Sequence, residues 1–114
     1  MIGKPIVPRE QANRDVEDAV DHYLKEAGNR GALGFIDALE RAYNHISRHP
    51  GSGSARYSVE LSLAGLRAWP LRGFPHIVFY VEGPDDVDVW RVLHGTRDIP
   101  AWMRETAREA SSSR

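Results

Sequence analysis

Side chains that bind or cleave phosphate esters are concentrated in the second half of the chain. Arg67, Arg91, His94 and Arg97 form the densest polar group of the sequence, and no carboxylate stands between the last three. Guanidinium groups pair with phosphate oxygens, and histidine transfers protons near neutral pH. The pattern is therefore typical of a phosphate-binding site or of a site for acid–base cleavage of RNA.

The same residues have an alternative explanation that is purely structural. Arg67 and Arg91 could form ion pairs with nearby carboxylates, as arginines of small domains commonly do. Arg91 and His94 also have opposite parity on one strand, so they meet only if a bulge or the end of the strand brings them together. The candidate carboxylates are Glu82, Asp88 and Asp98.

Metal and thiol chemistry have little support in the sequence. The chain contains no cysteine, which excludes disulfides, thiol nucleophiles and thiolate ligands. His45 and His49 have the i, i+4 spacing that can clamp a metal on a helix, but no third ligand follows in a zinc pattern. We therefore expect no metal and no cofactor.

Charge and composition narrow the class of protein further. Fifteen Lys and Arg against sixteen Asp and Glu leave a net charge of −1, so bulk electrostatic binding to nucleic acid or membrane is not expected. A chain of 114 residues suits a single domain. Because no apolar run approaches membrane-spanning length and Met1–Val7 does not resemble a signal peptide, we expect a cytoplasmic protein.

Apolar residues recur at steps of three and four through the first half of the chain. They predict helices over Arg9–Ala27 and Gly31–His49, and the short connection predicts an antiparallel hairpin. Gly51–Ser62 is polar and is expected to be a loop. The opposite face of the first helix is acidic, which is typical of a solvated face or a surface for a basic partner. Its acidic residues are Glu10, Asp15, Glu17, Asp18, Asp21 and Glu26.

Extended patterns flank this hairpin, and a short helix closes the chain. The order is strand, two helices, three strands and a helix, which indicates an α+β domain with a helical hairpin packed on an antiparallel sheet. The predicted strands are Lys4–Val7, Leu66–Leu71, His76–Glu82 and Val87–His94, and the predicted final helix is Ala101–Ala110.

Both faces of the predicted sheet carry apolar side chains. Strict alternation places Tyr80 on one face of its strand and places Trp90 and Val92 together on one face of the last strand. A hairpin covers only one face of an antiparallel sheet. The other face is therefore covered by the final helix or left for a partner.

Taken in order, these segments resemble the RelE/ParE superfamily of bacterial toxins over about residues 4–98. The resemblance implies an α+β fold with a short N-terminal strand, an antiparallel helical hairpin on a three- to four-stranded, mainly antiparallel sheet, and a short C-terminal helix. It divides the chain into a toxin domain, residues 1–98, and a C-terminal helix and tail, residues 99–114. The motifs that carry it are Asp15–Ala19 with Tyr23, Ile46–Gly53, Gly65–Arg67, Phe74–Tyr80 and Val89–Asp98.

The ParE branch is the more similar one. It implies a toxin without enzymatic activity that poisons DNA gyrase, stalls replication and is neutralised by a ParD-like antitoxin in a heterotetramer or larger complex. The RelE branch implies a ribosome-dependent mRNA endonuclease, whose catalytic candidates here would be Arg67, Arg91, His94 and Arg97. A third alternative is an inactive module that keeps the fold and the antitoxin but has lost its target.

Three features favour the gyrase-directed alternative. A nuclease that works on the ribosome is expected to be strongly basic, and this chain is not. No tyrosine follows Tyr80 and no lysine follows Lys25, although the nuclease branch uses such residues. We therefore expect no specific binding of nucleic acid. We expect an amphipathic antitoxin helix to dock around Tyr80, Trp90 and Val92.

Overall fold

The structure is a computed structural model that describes residues 3–96 and 98–112; of residues 109–112 it describes only the backbone. The chain forms four strands and three α-helices, with a short 3-10 turn at Pro50–Ser52. The strands are β1 (Ile6–Pro8), β2 (Leu66–Pro70), β3 (His76–Glu82) and β4 (Val87–His94). The helices are α1 (Glu10–Arg48), α2 (Arg56–Leu61) and α3 (Ile99–Ser112).

Gly28 divides the long α1 into two arms. Its backbone angles, φ 68° and ψ −164°, lie outside the helical region and in one that is essentially restricted to glycine. The chain folds back at this point, since the ring of Tyr23 on the first arm stacks on Phe35 of the second with centroids 5.5 Å apart. The predicted antiparallel hairpin is therefore confirmed.

The sheet has the order β1-β4-β3-β2. β1 runs parallel to β4, while β4–β3 and β3–β2 are antiparallel. The α+β architecture with a mainly antiparallel sheet is the one that the sequence predicts. β1 pairs with the stretch Val87–Val89, so within residues 3–96 and 98–112 the outer edge of the second half of β4 has no strand partner.

A bulge in β4 changes which side chains share a face. The register shifts between Phe79, which pairs with Arg91, and Tyr80, which pairs with Val89, so Trp90 is an extra residue. Beyond it, Val92 joins Val89 in the core under the hairpin, while Leu93 packs on the opposite side. The prediction that Trp90 and Val92 share a face is therefore wrong.

Two apolar clusters cover the two faces of the sheet. The hairpin packs on one face around Phe35, Tyr80 and Val89. The other face, around Phe79, is covered by Ile99 and Met103 of α3, so the final helix provides the second cover. The polar segment after α1, predicted to be a loop, contains the short helix α2, whose residues Tyr57 and Leu61 pack against this second cluster.

Candidate functional site

A buried ion pair joins the hairpin to the last strand. The carboxylate of Asp15 accepts hydrogen bonds from Nε and Nη2 of Arg91, each at 2.8 Å, and also from the backbone N–H of Val92 at 3.0 Å. The side chains of Asp15 and Arg91 are only 11% and 6% exposed. This bidentate geometry is the strongest that an arginine and a carboxylate can form.

Asp15 also completes the edge of the sheet. The main-chain N–H of Arg9, the residue after β1, donates to the carbonyl of Val89 at 2.9 Å. Further along β4, the Asp15 carboxylate accepts the N–H of Val92. A side chain of the helix thus replaces the missing strand partner.

Arg91 connects three elements of the fold, β4, α1 and α3. Besides Asp15 of α1, its Nη1 donates to the Thr106 hydroxyl of α3 at 3.3 Å, and its guanidinium lies over the Trp102 ring at 4.8 Å. The ion-pair explanation of Arg91 is therefore correct, although none of the carboxylates suggested by the sequence is the partner. Asp15 was expected on the solvated acidic face of its helix, and that expectation is wrong.

Arg67 lies apart from this group. It sits on β2, two strands from β4, and its Nη1 donates to the carbonyl of Gly53 at 2.8 Å. Arg97 is outside the described residues. Of the four candidate catalytic residues, the structure places Arg91 and His94 on one cleft, whose wall includes the four consecutive residues Arg91–His94 and therefore both parities of the strand. The bulge precedes both residues and leaves their opposite parity unchanged.

Three histidines converge on that cleft from three elements. His22 of α1, His76 of β3 and His94 of β4 all line it. The rings of His76 and His94 have centroids 5.1 Å apart, and His76 also packs against Phe35 at 5.0 Å. Sequence reasoning missed His22 and His76, because nothing in their spacing indicates that the fold brings them together.

His76 is strongly biased toward its neutral form. It is 7% exposed, and its Nδ1 has no hydrogen-bond partner among the described residues. Burial, and then the nearby His94 and His22, lower the pKa of His76 to about 4, against a smaller opposing effect of Asp15. At neutral pH this imidazole is uncharged.

Tyr80 has a structural role in the interior. Its hydroxyl donates to the carbonyl of Pro50 at 2.7 Å and accepts the N–H of Gly53 at 3.1 Å, which anchors the turn after α1 to β3. Burial raises the pKa of Tyr80. Tyr80 is fully buried and Val92 is 2% exposed, so neither offers a surface to an antitoxin. Those two assignments are wrong because the hairpin covers them.

The close fit around Gly53 gives a testable prediction. A Cβ at this position would clash with the Tyr80 hydroxyl and lie 3.1 Å from Cβ of Arg67, so Gly53→Ala should lower the free energy of unfolding by about 2 kcal/mol. Chemical denaturation measures the change. Gly51→Ala is the matched control, because nothing lies within 4 Å of its Cβ. Equal effects of the two substitutions would contradict this packing.

Trp90 keeps part of its surface exposed. Its indole N–H donates to Asp88 at 3.0 Å, and the guanidinium of Arg9 lies 4.4 Å from its ring centroid. Val7 of β1 pairs with Asp88 and is 47% exposed. We call Val7, Arg9 and Trp90 the Trp90 surface; it lies on the β1–β4 side of the sheet that faces away from the hairpin.

Neither a membrane-spanning helix nor a cluster of metal ligands occurs in the described part of the chain. In residues 3–96 and 98–112 no helix is long and apolar enough to cross a membrane. The same residues contain no group of three or more His, Cys, Asp or Glu that could hold a metal ion.

Comparisons with known proteins agree with this architecture. The family model for the ParE toxin of the type II toxin–antitoxin system, parDE, matches residues 6–99. A solved structure described as a chromosomal ParDE TA system from P. aeruginosa has a TM-score of 0.67 at 16% identity, covering 80% of this chain and 95% of that chain. At that identity the likeness is one of fold. No curated protein gives a significant match to the sequence.

Proposed function

Since the chain belongs to the ParE toxin family of type II toxin–antitoxin systems, we propose that it inhibits DNA gyrase in the cytoplasm and blocks replication. In this proposal it acts by binding and does not catalyse a reaction. A ParD-like antitoxin neutralises it within a heterotetramer or larger complex.

The engagement of Arg91 is the observation that carries this proposal. Ribonuclease chemistry of the RelE type needs cations that face the scissile phosphate and a positioned acid or base. Two N–H groups of Arg91 are instead bound by Asp15 and a third by Thr106 of α3, and Arg67 lies two strands away on a backbone carbonyl. The described candidates thus do not form a phosphate clamp, which supports a toxin that acts by binding.

The charge of the chain points in the same direction. Its net charge is −1, whereas affinity for RNA rests largely on neutralising phosphates with Lys and Arg. Several cations are already paired within the protein, including Lys4 with Glu82 and Arg9 with Asp88. These features favour a protein target.

The Trp90 surface is our candidate for antitoxin binding. It combines a half-buried aromatic ring, an arginine stacked on it and the exposed aliphatic Val7. Tryptophan and arginine are over-represented among residues that dominate binding energy at interfaces. An amphipathic antitoxin segment could place an apolar residue against Trp90 and Val7. Of the three antitoxin-binding residues expected from the sequence, this proposal keeps Trp90.

Substitutions on this surface should weaken antitoxin binding. We expect Val7→Asp and Trp90→Ala each to raise the Kd for the antitoxin encoded beside this chain by about 30-fold or more, in the range of interface hot spots. Isothermal titration calorimetry measures the Kd, and thermal melting checks that each variant is folded. Leu33→Asp, at a 63% exposed position of the hairpin, is the control. A larger increase in Kd for Leu33→Asp than for Val7→Asp and Trp90→Ala would place the antitoxin on the hairpin.

Expression in growing cells tests the proposed target. Without the antitoxin, growth should stop with signs of DNA damage and with intact mRNA. The His94→Asn variant should remain toxic, whereas a nuclease that depends on His94 should lose orders of magnitude in rate. Cleavage of mRNA at ribosomes would overturn the proposal, and the absence of any phenotype would favour the inactive module.

A further inference from the structure

Asp88 connects the polar groups of the Trp90 surface. One oxygen of its carboxylate, Oδ1, accepts a hydrogen bond from Nε of Arg9 at 3.0 Å. The other, Oδ2, accepts one from Nη2 of Arg9 at 2.8 Å and one from the indole N–H of Trp90 at 3.0 Å. Since the guanidinium of Arg9 also lies over the Trp90 ring, each of these three side chains contacts the other two.

The position of Asp88 in the sheet makes these contacts necessary. Asp88 pairs with Val7 of β1 on one side and with Val81 of β3 on the other. Cross-strand partners point to the same face of a sheet, so the carboxylate stands between two apolar side chains. A partly buried charge in such a place is costly unless it is paired and hydrogen-bonded. Arg9 and Trp90 provide both.

These contacts balance the charge of the Trp90 surface in the free chain. The positive charge of Arg9 and the negative charge of Asp88 meet in a bidentate pair, and three of about four acceptor positions on the carboxylate are occupied. An apolar side chain can therefore cover this corner of the sheet without burying an isolated charge. The hydrogen bond to Asp88 also holds the Trp90 ring in one orientation, which reduces the ordering that binding requires.

We propose that Asp88 is a positioning residue of the antitoxin interface, which holds Arg9 and Trp90 so that the surface accepts an aliphatic side chain. The inference rests on the proposed function, in which the Trp90 surface binds the antitoxin. The side chains of Arg9 and Asp88 are 30% and 37% exposed, so a partner that covers Trp90 also covers this ion pair. Residues that are shielded from water in this way dominate the binding energy of interfaces. Asp88 acts through its two neighbours and needs no contact of its own with the antitoxin.

Removing the charge of Asp88 should weaken antitoxin binding. In Asp88→Asn the side chain keeps its size, but its amide has one acceptor oxygen and leaves the Arg9 charge unbalanced under the partner, so the Kd should rise at least about 10-fold. Glu82→Gln is the matched control. Glu82 pairs with Lys4 at a similar exposure, 40% and 32%, and lies on the hairpin side of the sheet because its strand partner Val87 packs there. It should change the Kd less than about 2-fold.

A double variant separates positioning from folding. Arg9→Met/Asp88→Leu removes both charges and keeps aliphatic side chains of similar length, so it should bind the antitoxin at least about 5-fold more tightly than Asp88→Leu alone, which leaves the guanidinium unpaired. Isothermal titration calorimetry measures each Kd on the full-length chain, with the antitoxin encoded beside it. Thermal melting of the same samples identifies a merely structural role, because such a role would lower the Tm of Asp88→Asn and leave its Kd unchanged.

The outcomes distinguish this inference from the proposals on which it rests. If Trp90→Ala weakens binding and Asp88→Asn does not, the role of Asp88 is overturned and the Trp90 surface remains the antitoxin site. If neither substitution changes the Kd, the inference fails together with that surface. A double variant that binds as weakly as Asp88→Leu would also overturn it, since charge balance would then not matter. Inhibition of gyrase is measured without the antitoxin and is independent of all three results.

Discussion

Replacing Asp15 with Ala should lower the free energy of unfolding by about 3–5 kcal/mol, the range for breaking a buried ion pair. The substitution leaves the Arg91 guanidinium, 6% exposed, without its bidentate partner. It also removes the acceptor of the Val92 N–H at the free edge of β4. A domain of this size is stable by only about 5–15 kcal/mol, so the loss is a large share of the total.

Urea denaturation of the parent and variant chains measures this effect. Asp21→Ala is the matched control, because Asp21 pairs with Lys25 on the exposed side of the same helix and such pairs contribute at most about 1 kcal/mol. The double variant Asp15→Leu/Arg91→Met should recover most of the stability, since two apolar side chains of similar size leave no buried charge. A cost below about 1 kcal/mol for Asp15→Ala would contradict the role of the ion pair.

The second large effect concerns acid stability. The pKa of His76 falls from 6.5 in the unfolded chain to about 4 in the folded one. Between these values the unfolded chain binds a proton that the folded chain does not, so the free energy of unfolding decreases as the pH falls from about 6.5 to about 4. At 1.36 kcal/mol per pKa unit the full loss is about 3 kcal/mol, and it does not grow further below the folded pKa.

His76→Phe isolates this contribution. Phenylalanine preserves the ring packing against Phe35 and Tyr23 but cannot titrate. As the pH falls from 7 to 4.5, the free energy of unfolding of the parent should decrease by about 2–3 kcal/mol more than that of the variant. For His49→Asn, at an exposed histidine, the difference in free energy of unfolding from the parent should hardly change over this pH range. A constant difference for His76→Phe across this range would show that His76 protonates normally in the fold.

The elements with a strong repeat in the sequence were predictable. The three- and four-residue apolar spacing located both arms of the hairpin, and Gly28 marked the break between them. β3 and β4 have the predicted bounds, His76–Glu82 and Val87–His94, because turn residues flank two mainly apolar segments. These features depend on local sequence alone.

The bulge at Trp90 was not predictable in the same way. No residue type marks it, and one extra residue moves Val92 to the other face of the strand. The burial of Val92 under the hairpin follows from this register shift. The alternation of side chains along a strand therefore predicts the face of each residue only up to the first bulge.

The spacing of apolar residues in the sequence indicates that Asp15 faces inward. The many acidic residues of the same helix, typical of a solvated face, make this easy to overlook. Asp15 lies three residues after Ala12 and four before Ala19, and both alanines are buried. A carboxylate on the apolar stripe of a helix needs a buried cation, and Arg91 on an otherwise apolar strand is its natural partner. By contrast, the convergence of His22, His76 and His94 depends on how three elements assemble and leaves no trace in the spacing.

Supercoiling by purified DNA gyrase is the most direct test of the proposed function. We predict that the full-length toxin inhibits supercoiling, that the His94→Asn variant inhibits equally well, and that the antitoxin encoded beside it restores activity. A parallel reaction with programmed ribosomes should leave the mRNA intact. Unimpaired gyrase together with mRNA cleavage that disappears in His94→Asn would contradict the account and identify the protein as a nuclease.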